Sequence, residues 1–158
     1  MAAEALTDII IGKVNPSGKL TMSFPRSVGQ IPVYYNYLNT GRPITKPDMY
    51  KSYYLDLEST PLYPFGYGLS YSQFNYSNLR VSSETIKKGE KLKVFIDVSN
   101  DSEIAGKETI QLYIRDHKAE VSRPVLELKA FKKISFEPYE KKQLEFILDE
   151  RDLAYIGS

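Results

Sequence analysis

No cysteine and no tryptophan occur among the 158 residues, and there is a single histidine, His117. The missing cysteine removes disulfides, thiolate nucleophiles and cysteine-based zinc sites from consideration. An excess of one charge is also lacking: 21 Lys and Arg against 20 Asp and Glu leave a net +1, so no broad positive field gathers phosphates and no acidic tail is present. Lys13, Lys19, Arg26 and Arg42 are too dispersed for a nucleic-acid footprint, and nucleic acid is not an expected partner. Long hydrophobic runs are missing as well. Ile9-Ile10-Ile11 falls far short of a membrane span or a signal-peptide core, and Glu4 and Asp8 stand where a signal peptide carries positive charge. The chain reads as soluble, with no membrane partner. At 42% hydrophobic and 26% charged, it holds apolar material for one ordinary core or two small ones.

What is present changes texture twice. MAAEALTDIIIG reads as a short helix with Leu6, Ile9 and Ile10 on one side and Gly12 as its stop. So short a helix is marginal alone, and its abrupt start at residue 1 reads as a sign of truncation. From Lys13 to Thr60 regular structure gives way. NPSGK is a turn, Leu20 to Phe24 alternates like one strand ended by Pro25, and prolines at 32, 43 and 47 interrupt pairing thereafter. Ten of the 13 tyrosines fall between Tyr34 and Tyr76, which predicts ordered coil whose rings pack against a preformed partner.

Beyond Phe74 the pattern is that of a sheet. KLKVFIDVS puts Leu92, Val94, Ile96 and Val98 on one face, TIQLYIR groups Ile110, Leu112 and Ile114, and KQLEFIL groups Leu144, Phe146 and Leu148. Asn78 to Ser82 and Leu126 to Phe136 complete the set, with KKGE, NDSEIAG and FEPYEK as turns. Short strands at this spacing without intervening helices predict a mainly β protein, an immunoglobulin-like β-sandwich. Such a sandwich takes about 100 residues and seven strands, more than residues 75–158 supply. The sandwich is therefore expected to be incomplete and to lack its final hairpin.

The ordered series NPSGKLTMSFPRSVGQIPVYYN, TGRP, PLYPFGYGLSYSQF, VSNDSEIAGKETIQLYIRD, SRPVLELKAFKKI and FEPYEKKQLEF closely resembles the C-terminal part of bacterial family 3 glycoside hydrolases, the β-glucosidase and β-xylosidase group. The resemblance implies three segments. Residues 1–60 correspond to the tail of an α/β sandwich domain, 61–74 to an aromatic interdomain linker, and 75–158 to a fibronectin type III-like domain. It further implies a parent that hydrolyses terminal β-D-glucosides or related glycosides with retention, using two closely spaced carboxyl groups. In that family an aspartate nucleophile comes from a barrel domain and a glutamate acid/base from upstream sandwich residues. Neither motif is in this sequence, so the chain alone is expected to be noncatalytic, with no cofactor and no metal. A periplasmic or extracellular location is compatible with such a parent. The sequence departs from the family pattern at Asp101-Ser102, at Ala130 before Phe131, and at Pro138-Tyr139-Glu140. Where the family has glycine, Tyr139 would be strained if the turn required a left-handed backbone.

Candidate contact residues are all aromatic: Tyr34, Tyr35 and Tyr37, then Tyr53 and Tyr54, then Tyr63, Phe65, Tyr67 and Tyr71. Their flat apolar faces and polar edges suit packing between domains, and they equally suit a β-linked carbohydrate. Asp48, Asp56 and Glu58 lie near these rings but have no periodic scaffold to set their spacing, and they read as solvent-facing or capping carboxylates. His117, at a strand end beside Asp116, reads as a turn residue. NPSGK and TGRP lack the glycine spacing of a phosphate loop. Partners implied are the parent's remaining glycosidase domains and, through open sheet edges, a second copy of the chain. The competing account is a glycan-binding or assembly module with a tyrosine-rich arm.

Overall fold

A computed structural model describes residues 2–38 and 53–155 of the chain. Arg42, the TGRP stretch, Asp48 and Ile156 lie outside the described residues. In order, the elements are helix α1 (Ala2–Ile10), a 3-10 turn (Val28–Gln30), strands β1 (Phe74–Val81), β2 (Leu92–Asn100), β3 (Gly106–Ile114), β4 (Glu127–Phe136) and β5 (Lys141–Leu148), and the short helix α2 (Glu150–Leu153). The chain divides into two compact units. One takes its described residues from Met1–Gly18, Gly68–Leu112 and Lys129–Ile156; the other takes them from Lys19–Tyr67 and Tyr113–Leu128.

The first unit is built on strands, as the alternation predicts. β1, β2 and β5 form a three-stranded sheet with β2 in the centre, antiparallel to both neighbours, and β3 and β4 form a second sheet. Register places Val94 opposite Phe146, Ile96 opposite Leu144 and Leu92 opposite Leu148, so the apolar faces of β2 and β5 coincide. The core consists of Val94, Val98, Phe146 and Leu148 from this sheet with Ile110 and Phe136 from the other. Phe136, 1% exposed, meets Phe74 with ring centroids 5.5 Å apart. Burial of side chains of this size contributes about 1.5–3 kcal/mol each. The mainly β, sandwich-type reading of the sequence matches this architecture.

Two local departures have physical causes. Leu20 to Phe24 is not a strand. Its hydrogen bonds run to the PLYPFGYG segment (Leu20 N to Tyr67 O, Gly66 N to Leu20 O, Phe24 N to Tyr63 O), yet only the Phe24–Tyr63 bridge is regular. Pro64 supplies no N–H, and the Phe65 amide donates to the Ser23 hydroxyl instead. The second departure is in β1, where pairing with β2 slips between Ser77 and Arg80 and Asn78 takes φ 54°. Asparagine tolerates the left-handed region better than most residues, and there its Nδ2 donates to Asp97 at 2.9 Å.

Asp97 sits on the outer face of β2 but is only 8% exposed. Its carboxylate accepts from Asn78, from Gln143 at 3.0 Å and from the Lys141 ammonium at 3.1 Å. Those hydrogen bonds, Asn78's first, hold its pKa well below the usual carboxylate range. Glu140 is held low by the Glu137 backbone N–H and then by Lys142. Unfolded carboxylates titrate near pH ~4. A depressed folded pKa therefore adds stability above that pH and loses it as pH falls toward the folded value. Acid unfolding followed by circular dichroism should show Asp97→Asn with a shallower loss of stability on acidification than the natural chain; equal slopes would contradict this account.

Tyr139, where the resemblance implies glycine, has φ 58°. The turn runs from Glu137 to Glu140, closed by Glu140 N donating to Glu137 O at 3.2 Å, with Pro138 first and the left-handed residue second. That order favours glycine after proline. Tyr139 is also 71% exposed, so removing its ring forfeits little packing. Tyr139→Gly is expected to stabilise the chain by about 1 kcal/mol, the cost of a left-handed non-glycine residue, as measured by urea unfolding. A lower midpoint would refute the strain.

Candidate functional site

The aromatic residues singled out from the sequence divide between the two units. In the unit holding Lys19–Tyr67 and Tyr113–Leu128, Tyr35 is the hub. Its ring stacks on Phe65 with centroids 4.2 Å apart and planes 18° from parallel, and it meets Tyr113 edge-on at 6.0 Å. Burial, with the nearby Tyr35, raises the Tyr113 pKa. The Tyr35 hydroxyl accepts from Leu128 N at 3.5 Å. Backbone contacts set this arrangement: Val125 N donates to Tyr37 O at 2.9 Å and Leu38 bridges Pro124. Tyr63 and Tyr67 stack separately at 5.1 Å. Tyr35, Phe65 and Tyr53 are half-buried, whereas Tyr34, Tyr37 and Tyr54 are exposed, as is Leu55, which follows Tyr54, at 91%. Tyr71 belongs to the other unit, where its hydroxyl donates to Ile9 O at 2.8 Å.

The neck of this tyrosine-rich segment is closed by a clamp that sequence reasoning missed. Gln30 is 4% exposed. Its Oε1 accepts from Arg26 N at 2.6 Å and its Nε2 donates to Glu58 O at 2.8 Å and Thr60 O at 3.4 Å. Arg26 reinforces it through Nε to Thr60 O at 3.0 Å and Nη2 to the Glu58 carboxylate at 2.6 Å. Tyr54 adds a hydroxyl donated to Gly29 O at 3.3 Å. Proline-rich coil cannot pair its carbonyls through a ladder, so a long buried amide does it. A glutamine inside a loop bracketed by Pro25 and Pro32 was the available signal.

The carboxylates near the rings have structural surroundings. Glu58 is ion-paired with Arg26, and Asp56 and His117 are exposed. Among the described residues, no group of three or more His, Asp or Glu is placed to hold a metal ion, and no helix is long and apolar enough to cross a membrane. The arrangement therefore offers half-open aromatic faces braced by hydrogen bonds, able to pack against protein or against a sugar ring. In the same unit Val28 is 82% exposed and Ile31 63%; in the other unit Leu6 and Ile10 of α1 and Ile11 just after it are exposed.

Gln30→Ala would take the donor from Glu58 O and the acceptor from Arg26 N, leaving Thr60 O to Arg26 Nε, at a cost of about 1–3 kcal/mol. Limited proteolysis is expected to cut the variant faster within residues 53–60 than the natural chain. An unchanged cleavage pattern would show that the clamp is dispensable.

Comparison with known proteins places these features in context. Residues 1–71 match the family model described as the glycosyl hydrolase family 3 C-terminal domain, and residues 108–158 match that of the fibronectin type III-like domain. The chain is 48% identical over 153 residues to a periplasmic beta-glucosidase of Salmonella typhimurium, covering 96% of this chain and 20% of that protein. It is 41% identical over 159 residues to a beta-xylosidase of Formosa agariphila, covering 99% and 21%. The crystal structure of beta-glucosidase from Listeria innocua in complex with isofagomine superimposes with a TM-score of 0.88 at 49% identity, over 96% of this chain and 21% of that one. The chain thus spans about a fifth of the length of the relatives it matches.

Proposed function

The chain belongs to the C-terminal region of the family 3 glycoside hydrolases, and from that premise we propose that it is the structural C-terminal portion of a retaining β-glycosidase acting on terminal β-D-glucosides or related glycosides. Its work is to brace the parent's remaining domains rather than to cleave sugar. Residues 1–60 act as the tail of the domain that precedes the sandwich, 61–74 as the aromatic linker, and 75–158 as the fibronectin type III-like domain. The relatives include a protein named periplasmic, and the same compartment is proposed for the parent here.

The observation that carries this reading is uncovered apolar surface on elements whose sequence matches a domain interior to a much longer protein. α1 buries none of its residues, although nine residues of helix are marginal without a packed face. Val28, Ile31 and Leu55 extend the exposed apolar area in the other unit. Surface of this kind on a protein four-fifths of whose relatives' length lies elsewhere is suited to that missing length. In the isolated chain the same surfaces, with the free edges of short sheets, drive self-association. The outward tyrosines Tyr34, Tyr37 and Tyr54 serve the domain contact; binding of β-linked carbohydrate by these rings is the second reading.

The test compares Ile10→Glu and Leu55→Glu in the isolated chain and in the longer protein. In the longer protein each substitution should lower thermal stability by an amount equivalent to about 1.5–3 kcal/mol of lost apolar burial. In the isolated chain each should leave stability nearly unchanged and reduce concentration-dependent light scattering. Equal effects in both settings would reject the bracing role. Release of aryl alcohol from an aryl β-glucoside by the purified isolated chain at an enzyme-like rate would reject the noncatalytic assignment.

A further inference from the structure

The turn NPSG that follows α1 does more than reverse the chain. All four hydrogen-bonding positions of the Asn15 side chain are occupied, and every partner lies in the sandwich unit. Oδ1 accepts from the Ser70 hydroxyl and from Tyr71 N, both at 2.9 Å. Nδ2 donates to the Ser72 hydroxyl at 2.7 Å and to Ala105 O at 3.0 Å. A primary amide offers two donors and two acceptor positions, so this receptor is matched in number and polarity to asparagine. Ser72, 6% exposed, passes the connection on by donating to Ile104 O at 2.7 Å, and its amide donates to the Ser70 hydroxyl at 3.1 Å. Asn100 receives it from the far side, donating to the same Ile104 O at 2.8 Å and to Glu137 O at 3.1 Å.

Steric fit supports the same assignment. A Cβ on Gly106 would stand 2.5 Å from the Ser72 hydroxyl oxygen and 2.8 Å from Asn15 Nδ2. The absent side chain at Gly106 is what leaves room for the amide. Tyr71 supplies a second tie, since its backbone N–H is held by Asn15 while its hydroxyl reaches Ile9 O in α1. One residue thus grips both the turn after the helix and the helix itself.

We propose that Asn15 is a coupling residue that makes residues 2–18 part of the sandwich's cooperative unit, so that helix α1 and the turn from Asn100 to Gly106 open and close together. The physical unit then crosses the boundary suggested by the matched sequence segments: α1 and the NPSG turn lie within residues 1–71, while β3 carries the start of the segment 108–158. A helix that buries no residue is fastened through its C-terminal turn. In a longer protein, whatever holds α1 also holds the sandwich. The inference stands on these contacts alone and does not need the glycosidase reading.

Hydrogen exchange on the complete chain, read amide by amide, tests it. Asn15→Ala is expected to speed exchange by about 10-fold or more at Ile11, Gly12 and Val14 in the helix end and at Ser72 and Gly106 in the sandwich, because two or more hydrogen bonds are lost at once. Amides of Phe24 and Gly66 in the other unit and of Val94 in the core should keep their natural rates. Gly106→Ala, which displaces the amide sterically, should reproduce the pattern, and Ser70→Ala should give a weaker version if Asn15→Ala fails to fold. Asn15→Asp tests polarity: the carboxylate faces the Ala105 carbonyl at neutral pH, and protonation restores one donor. Relative to Asn15→Ala, it should therefore exchange more slowly on mild acidification. Acceleration confined to Tyr71, uniform acceleration that includes Val94, or an Asn15→Asp chain indistinguishable from the natural one would each overturn the proposal.

Discussion

Two asparagine side chains whose hydrogen-bonding positions are all engaged hold the sandwich unit together at the point where strands alone would not. Asn15 occupies a socket made by Ser70, Tyr71, Ser72 and Ala105. Asn100, 0% exposed, receives Ser102 through both its amide and its hydroxyl and donates to Ile104 and Glu137 carbonyls. Burying such amides is costly unless every polar atom is satisfied. Here satisfaction is complete, so position is enforced strongly. Asn100 N also donates to Glu140 O and Tyr139 N to Ser102 O, which draws the strained Pro138-Tyr139 turn into the same assembly. The strain at Tyr139 persists because its surroundings over-determine it.

The second unit uses the same strategy with a different residue. It has little regular structure, so its carbonyls have no ladder to join, and Gln30 with Arg26 takes the role of a neighbouring strand. Aromatic stacking then fills the space: Tyr35 on Phe65, and Tyr63 on Tyr67. In both units, polar side chains organise irregular backbone while rings or strands supply the apolar mass. That division explains why a segment containing so many prolines is ordered where it is described. It also leaves Tyr34, Tyr37 and Tyr54 exposed.

Much of this was legible from residue patterns. The strand core at Val94, Val98, Phe146 and Leu148 follows from period-two alternation, which fixes facing irrespective of distant sequence. Gly12, with φ 76°, ends α1 as its sequence position suggests. The apolar, unsupported side of α1 was equally plain. Leu20 to Phe24 misled, because alternation signals a strand only when a partner can complete the ladder, and the partner contains Pro64. Asn15 was readable as a turn residue but not as a hub. Its partners are 55 to 90 positions away, and no local pattern announces a socket of that separation. For Gln30 the sequence offered only its place between Pro25 and Pro32: a glutamine's burial depends on which carbonyls the fold leaves without donors.

Sequence by itself determined the class of the fold, the faces of the strands, the absence of thiol chemistry and the family, because each rests on local periodicity, composition or ordered motifs. Tertiary structure alone decided that Tyr139 is left-handed, that Asp97 on an outer face is enclosed by Asn78, Gln143 and Lys141, and that residues 2–18 cluster with the sandwich rather than with the coil that follows them. Those outcomes depend on hydrogen-bond partners brought together across the chain. A linear sequence specifies such partners only through the complete fold.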